Sequence, residues 1–422
     1  MSGRNPVVVS VPSTEQETNK KNHFSFLSLL KTKNGTYDPK QLIHSIKVGI
    51  ALVLVSLLYL VDPLYSRLGE NAMWAIMTVV VLFEFYAGAI LSKGFNRGIG
   101  TVFGGMLGCF AAILAEEVGG PGKPITIGTS VFIFGAVGSY FRLNPSIKRK
   151  YDYGVMIFIL TFNLVAVSGL RGEQVIALAR ERLSTIVMGF IICIVTSLVI
   201  FPMWASDELH CSTVAKFECL ATSIEGCMEA YFKKMDKEGN VTFTMSDGYK
   251  SILYSKSKDE TLANFAKWEP WHGKFGFNHP WEKYLRIGDS LRELATYISF
   301  LKECLQSTQE TSTPIRFNIN KSCEEASTSL TCTLRELGQN ILSMGRSGSG
   351  RLIIARLQST SLELSESLTA SETVKSGDGL EMATFVFMLI EMMTKVEKLV
   401  REVEDLADLA GFLRQKNQRN EL

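Results

Sequence analysis

Apolar residues fall in six long blocks over the first half of the chain, near 45–62, 72–91, 98–115, 125–141, 153–170 and 183–203. Each is about as long as the roughly 20 residues that cross a bilayer as a helix. Helices in soluble proteins average about 11–12 residues, so six such blocks in succession predict membrane spans. The connections between them are short and carry Gly, Pro and charge. After Pro202 the pattern changes to a three-to-four repeat, as in Leu209, Val214, Phe217, Leu220, Ile224, Met228 and Phe232. The same period predicts helices over 206–236, 281–305, 321–344, 350–370 and 378–413, with linkers at 236–248, 306–318 and 344–350. The expected fold is therefore an all-α integral membrane protein of six transmembrane helices followed by a helical cytosolic domain. It divides into a polar tail (1–44), a six-helix channel domain (45–203) and an α-helical C-terminal domain (204–422).

Charge sets the orientation. With the N-terminus inside, the inner segments 1–44, 92–97 and 142–152 hold twelve Lys and Arg against five in the outer loops. Both termini are then cytosolic. The net charge of +2 argues against a nucleic-acid partner. Eight scattered cysteines without a CxxC pair read as reduced, buried thiols of a cytosolic domain. In "WEPWHGKFGFNHPWEKY" (268–284) two histidines, His272 and His279, are separated by six residues among aromatic residues. That spacing lacks further metal ligands and predicts an aromatic clamp between helices. No catalytic constellation, metal site or cofactor motif is expected, and the chain reads as a non-enzyme.

Charges inside the spans carry the candidate chemistry. A charge at the bilayer centre costs about 2.5–3.5 kcal/mol on insertion scales and is tolerated where it faces a cavity or a partner. Lys47 lies in the first block and Glu84 in the second; Lys93 and Arg97 precede the third, and Arg180 and Arg182 open the sixth. Glu84 reads either as an ion-pair partner of Lys47, as an orienter of pore cations, or as a proton-coupling carboxylate. Lys93 and Arg97 read as a solvated anchor or as part of a cation ring that selects anions. Arg180 and Arg182 read as headgroup contacts or as the other mouth of an anion path. The spacing of Gly100, Gly104 and Gly108 suits close helix contact, either within the chain or between subunits.

The run "NAMWAIMTVVVLFEFYAGAILSKGFNRGIGT" (71–101) resembles the signature of the plant aluminium-activated malate transporter family. So do "KRKYDYGVMIFILTFNLVAVS" (148–168), "RERLSTIVMG" (180–189), "FPMWASDELH" (201–210), the 268–284 motif and the acidic helix around "ATFVFMLIEMMTKVEKLVREVEDLA" (383–407). The resemblance implies a homodimeric anion channel for malate and for inorganic anions such as chloride, nitrate and sulfate. It implies pore cations at Arg97 and Arg182, with Lys47 and Glu84 also affecting conduction. Relatives occupy the plasma or the vacuolar membrane, and the plasma membrane is favoured here. Asp62, Glu70 and Glu173 are the candidates for an outer acidic regulatory site; they are not clustered as a trivalent cation would require. The alternative is a coupled exporter of organic or aromatic acids that uses Glu84 as its titratable site.

Overall fold

The structure is a computed structural model that describes residues 39–61, 72–169, 175–235, 248–276, 279–307, 317–346, 350–369 and 377–414. In the first half the helices are α1 (Pro39–Leu60), α2 (Ala72–Leu82), α3 (Ala87–Val118), α4 (Gly122–Leu143), α5 (Pro145–Ser168) and α6 (Val175–Val199). Five of them are long and apolar enough to cross a membrane, while the apolar stretch of α2, Met73–Leu82, is shorter. The described fold is that of an all-α integral membrane protein.

Two sequence expectations are corrected at the second block. The predicted span 72–91 is not one helix, because α2 stops at Leu82 and the chain bends through residues 83–86. Tyr86 is extended (φ −101°, ψ 141°), and the first free amide of α3, Ala87 N–H, donates 3.0 Å to the carbonyl of Met203. The expected inner loop 92–97 is helical and lies within α3, which runs 32 residues rather than starting near 98. At its far end α3 stops on Gly119, whose φ of +63° is the left-handed conformation glycine adopts without cost. Asn144 caps α5 by accepting the Ser146 N–H at 3.0 Å, with Pro145 opening the helix.

The glycine stripe of α3 packs within the chain. A Cβ on Gly104 would lie 2.7 Å from the Phe158 carbonyl oxygen, and one on Gly108 would lie 2.8 Å from Val165 Cβ. Gly100 meets the Gly154 carbonyl in the same way. The two helices α3 and α5 therefore run parallel, backbone against backbone. Such close approach suits lipid, where association relies on packing rather than on expelled water. Gly189 of α6 does the same against α2, at 2.8 Å from the Ala75 carbonyl oxygen.

The C-terminal half is built from α7 (Ala205–Met235), α8 (Gly248–Leu253), α9 (Lys256–Ala266), α10 (Trp281–Ser307), α11 (Phe317–Ser343), α12 (Gly350–Thr369) and α13 (Gly377–Ala410). Helices α7, α10, α11, α12 and α13 match the predicted repeats, whereas α8 and α9 fall in a stretch where the pattern predicts no helix. Together the helices bury one continuous core that includes Phe217, Leu220, Tyr284, Leu291, Leu330, Leu389 and Leu399. A two-residue parallel pairing, β1 (Gly345–Arg346) with β2 (Leu413–Arg414), ties the end of α11 to the end of α13. All eight cysteines are free. Cys211 and Cys332 are exposed, against the expectation that all are buried, because they fall on the outer faces of α7 and α11.

Candidate functional site

The bend at 83–86 collects several of the predicted residues. Glu84, half-exposed within it, forms its ion pair with Lys93 on the second turn of α3. The expected Glu84–Lys47 pair is thus replaced. The bend doubles the chain back, so that residues nine apart meet, whereas Lys47 lies on a separate helix. His44 of α1 packs its ring against Phe83 (5.9 Å) and Phe85 (5.3 Å), which brings the start of α1 to the same bend. Lys47, one turn further along α1, is only 1% exposed, and its ammonium has no hydrogen-bond partner among the described residues.

Arg97 follows Lys93 by four residues, so both project from one side of α3. Their surroundings nevertheless differ. Arg97 is 6% exposed and donates from Nη1 to the Tyr153 hydroxyl of α5 at 3.0 Å. Its Nε is buried without a partner among the described residues, and no carboxylate is paired with the guanidinium there. Beside it, Asn96 Nδ2 donates to the Lys150 carbonyl at 3.2 Å and so fixes the start of α5 against α3. The Thr101 hydroxyl, one turn deeper, is also buried and unpartnered among the described residues.

Arg182 lies in the third turn of α6. Its guanidinium carbon sits 4.2 Å from the centre of the Trp74 ring of α2, a cation–π contact. Its Nε too is buried without a hydrogen-bond partner among the described residues. Arg180 is exposed. Ala87 meets Met203 and Gly94 meets Phe190, so α3 and α6 are antiparallel. Arg97 is three residues beyond the Gly94 contact and Arg182 eight residues before Phe190. At about 1.5 Å per residue the two arginines differ in depth by roughly 7–8 Å. They form successive steps along one bundle rather than one ring. Asp62, Glu70 and Glu173 lie outside the described residues.

Sequence reasoning missed Tyr153 and Trp74, the two aromatic partners of the arginines. Neither carries a charge, and each sits in an apolar block where an aromatic residue draws no notice. It also missed the junction with the C-terminal half. Glu269 accepts the Ala205 N–H at 2.6 Å, the Ser206 N–H at 3.1 Å and the Ser206 hydroxyl at 2.6 Å, placing a carboxylate on the amides that open α7. A Cβ on Gly88 would lie 2.8 Å from Glu269 Cγ, and the Phe95 ring of α3 packs on Trp268 at 5.4 Å. The aromatic clamp expected over 268–284 is present, with His272 stacked on Trp204 at 3.7 Å and Phe275 against Trp281 at 5.2 Å.

A family model described as aluminium activated malate transporter matches residues 32–377. Aluminum-activated malate transporter 14 of Arabidopsis thaliana is 44% identical over 313 residues, covering 73% of this chain and 58% of its own length. Aluminum-activated malate transporter 2 of the same plant is 38% identical over 388 residues, covering 90% and 77% respectively. A Triticum aestivum relative, aluminum-activated malate transporter 1, is 37% identical over 397 residues, covering 91% and 85%. The match thus spans less than two thirds of the length of the first of these relatives. Each is named as a transporter rather than an enzyme. By the extent of these matches, this chain belongs to the aluminium-activated malate transporter family.

Proposed function

We propose that this chain is a subunit of a homodimeric anion channel, a passive and gated path for malate and for chloride, nitrate or sulfate. The observation that carries this reading is Arg97. It is a buried guanidinium on a membrane helix, held by a neutral hydroxyl and, among the described residues, not by a carboxylate. A permanent cation left without a counter-charge is well suited to a mobile anion. At an effective dielectric near 20, a unit pair about 4 Å apart is worth roughly 4 kcal/mol. Arg182, stacked on Trp74, and Lys47 extend the same character along the bundle. Two subunits would supply four guanidinium groups, a number that suits a dicarboxylate.

In this reading α2 is a sixth, short span. The polar tail 1–44 and the C-terminal domain 204–422 lie in the cytosol, and the plasma membrane is the favoured location over the vacuolar membrane. Lys93 serves as an inner anchor, Glu84 as its counter-charge, and Arg180 as an outer-mouth cation. Asp62, Glu70 and Glu173 remain the proposed outer regulatory acids. The Glu84–Lys93 ion pair supports this assignment over coupled export, since an exporter would need that carboxylate free to exchange a proton.

Whole-cell recording in oocytes with malate, nitrate and chloride exchanged in turn tests the proposal. Arg97→Ala and Arg182→Ala should each lower malate current at least about tenfold, equivalent to about 1.4 kcal/mol, with assembly at the membrane retained. Unchanged current in both variants would refute the pore assignment.

A further inference from the structure

The helix α3 is longer than the hydrocarbon core of a bilayer is thick. Its 32 residues extend about 48 Å, against a hydrocarbon core of about 30 Å. The far end carries exposed Glu116 and Glu117, so the core ends before them. The first turns of α3 run beside the C-terminal half, where Gly88 meets Glu269 and Phe95 meets Trp268. The polar contacts Asn96–Lys150 and Arg97–Tyr153 and the bidentate Arg142–Asp152 pair, at 2.7 and 3.2 Å, lie toward the same end of the bundle.

Trp268 packs on Phe95, and three residues later Trp271 is 71% exposed. Trp271 is not on a loose loop. Glu269 is fixed by three hydrogen bonds at the start of α7. His272 is stacked on Trp204, and its ring nitrogens contact the Ser206 hydroxyl at 2.9 Å and the Pro270 carbonyl at 2.7 Å. A large indole is thus held outward between two anchored residues and cannot fold back onto the core. Trp and Tyr concentrate where an apolar ring meets hydrated headgroups. The exposed Lys274, three residues on, adds a cation of the sign that attracts anionic headgroups.

We infer that the ridge Trp268–Trp271 is a lipid-contact surface. In this arrangement Trp271 inserts into the headgroup layer beside α3 and pins the C-terminal half against the membrane. The inference rests on α3 crossing the bilayer and does not depend on which anion the pore carries.

The test uses the full-length protein in nanodiscs of phosphatidylcholine and phosphatidylserine. The emission lost on Trp271→Phe isolates the Trp271 component. Nitroxide attached to the lipid headgroup should quench that component severalfold, and aqueous iodide should quench it severalfold less than it quenches free tryptophan. A component that iodide reaches as readily as free tryptophan overturns the inference. So does one shielded from iodide yet untouched by the lipid nitroxide, which would mean that protein covers the ridge. Trp268→Phe gives a second reading: its lost component should also respond to the headgroup nitroxide, and silence there overturns the placement of the ridge at the headgroups.

Discussion

The two halves of this chain bury cations in opposite ways. In the C-terminal half Lys216 is 7% exposed, much as Arg97 is in the membrane half at 6%. Yet Lys216 meets Asp259 at 2.5 Å, and the same carboxylate oxygen takes Arg292 at 2.9 Å and the Ser255 hydroxyl at 3.0 Å. Burial still pushes the Lys216 ammonium down from its usual range, with Asp259 opposing it. Arg97 has a tyrosine hydroxyl, Arg182 an aromatic face and Lys47 no described partner. A buried cation that stabilises a fold is given its carboxylate at once, since leaving one partner uncompensated costs about 3–5 kcal/mol. Among the described residues these three cations have no carboxylate, which supports the proposed reading of a mobile counter-charge.

The halves are also held together differently, and the largest expected effect breaks that contrast. Gly104→Leu drives a side chain into the Phe158 carbonyl, 2.7 Å from where a Cβ would sit, and Thr161 Cβ is 3.1 Å away. Neither can yield without moving α5. The protein should lose its monodisperse gel-filtration peak altogether, while Gly98→Ala, facing open space, should elute as wild type. Next comes Asp259→Ala. It strands Lys216 inside the C-terminal half, while Arg292 keeps Asp289 at 2.6 Å, and should destabilise that half by about 3–5 kcal/mol, read as a large drop in melting temperature. Anion selectivity in whatever protein survives should be unchanged.

The period of apolar residues made the C-terminal helices legible, because each repeat buries one face in a shared core. The bend at 83–86 was not legible. "FEFY" has no Gly or Pro, and the block from Ala72 onward reads as one continuous span. The interruption is imposed from a distance, by the Met203 carbonyl that receives the Ala87 amide. The continuity of α3 was hidden for the converse reason. Lys93, Gly94 and Arg97 read as a loop. They are helical because α5 offers Tyr153 and the Lys150 carbonyl as polar partners and packs closely on the glycine face of α3. The residue types of the candidate site could be read from the chain, but their pairing could not. The Glu84–Lys93 contact exists only once the bend has turned the chain back.

A smaller effect separates the halves by pH. Burial is the main cause that takes the His279 imidazole down to about 4, with the nearby His210 adding to it. His210 is itself lowered by burial, and its Nδ1 meets the Tyr284 hydroxyl at 2.9 Å. Between about pH 6.5 and 4 the unfolded chain then binds a proton that the folded chain refuses. Stability is full above the unfolded value and falls as pH drops through this window, by up to about 3 kcal/mol from His279. Thermal melting over that range should show the decline, and His279→Gln should flatten part of it. The glycine contacts of the membrane half have no titrating group and should not follow.

The smallest effect bears on whether the membrane half conducts or couples. Glu84 and Lys93 are each about one third exposed, and pairs of that exposure are worth about 0.2–1 kcal/mol. In a channel Glu84→Gln removes only that orienting interaction. Anion current should change by about two- to fivefold in amplitude or gating and should persist without a proton gradient. Lys93→Gln should act in the same direction, and the double variant should be less than additive, because the two side chains share one interaction. In a coupled exporter the carboxylate is the proton carrier, so Glu84→Gln would end transport while Lys93→Gln would leave it proton-driven. Recording all three variants at two external pH values separates the cases. Abolished transport in Glu84→Gln alone would move Glu84 from counter-charge to carrier. The unpaired arginines would then be the substrate site of a pump rather than the lining of a pore.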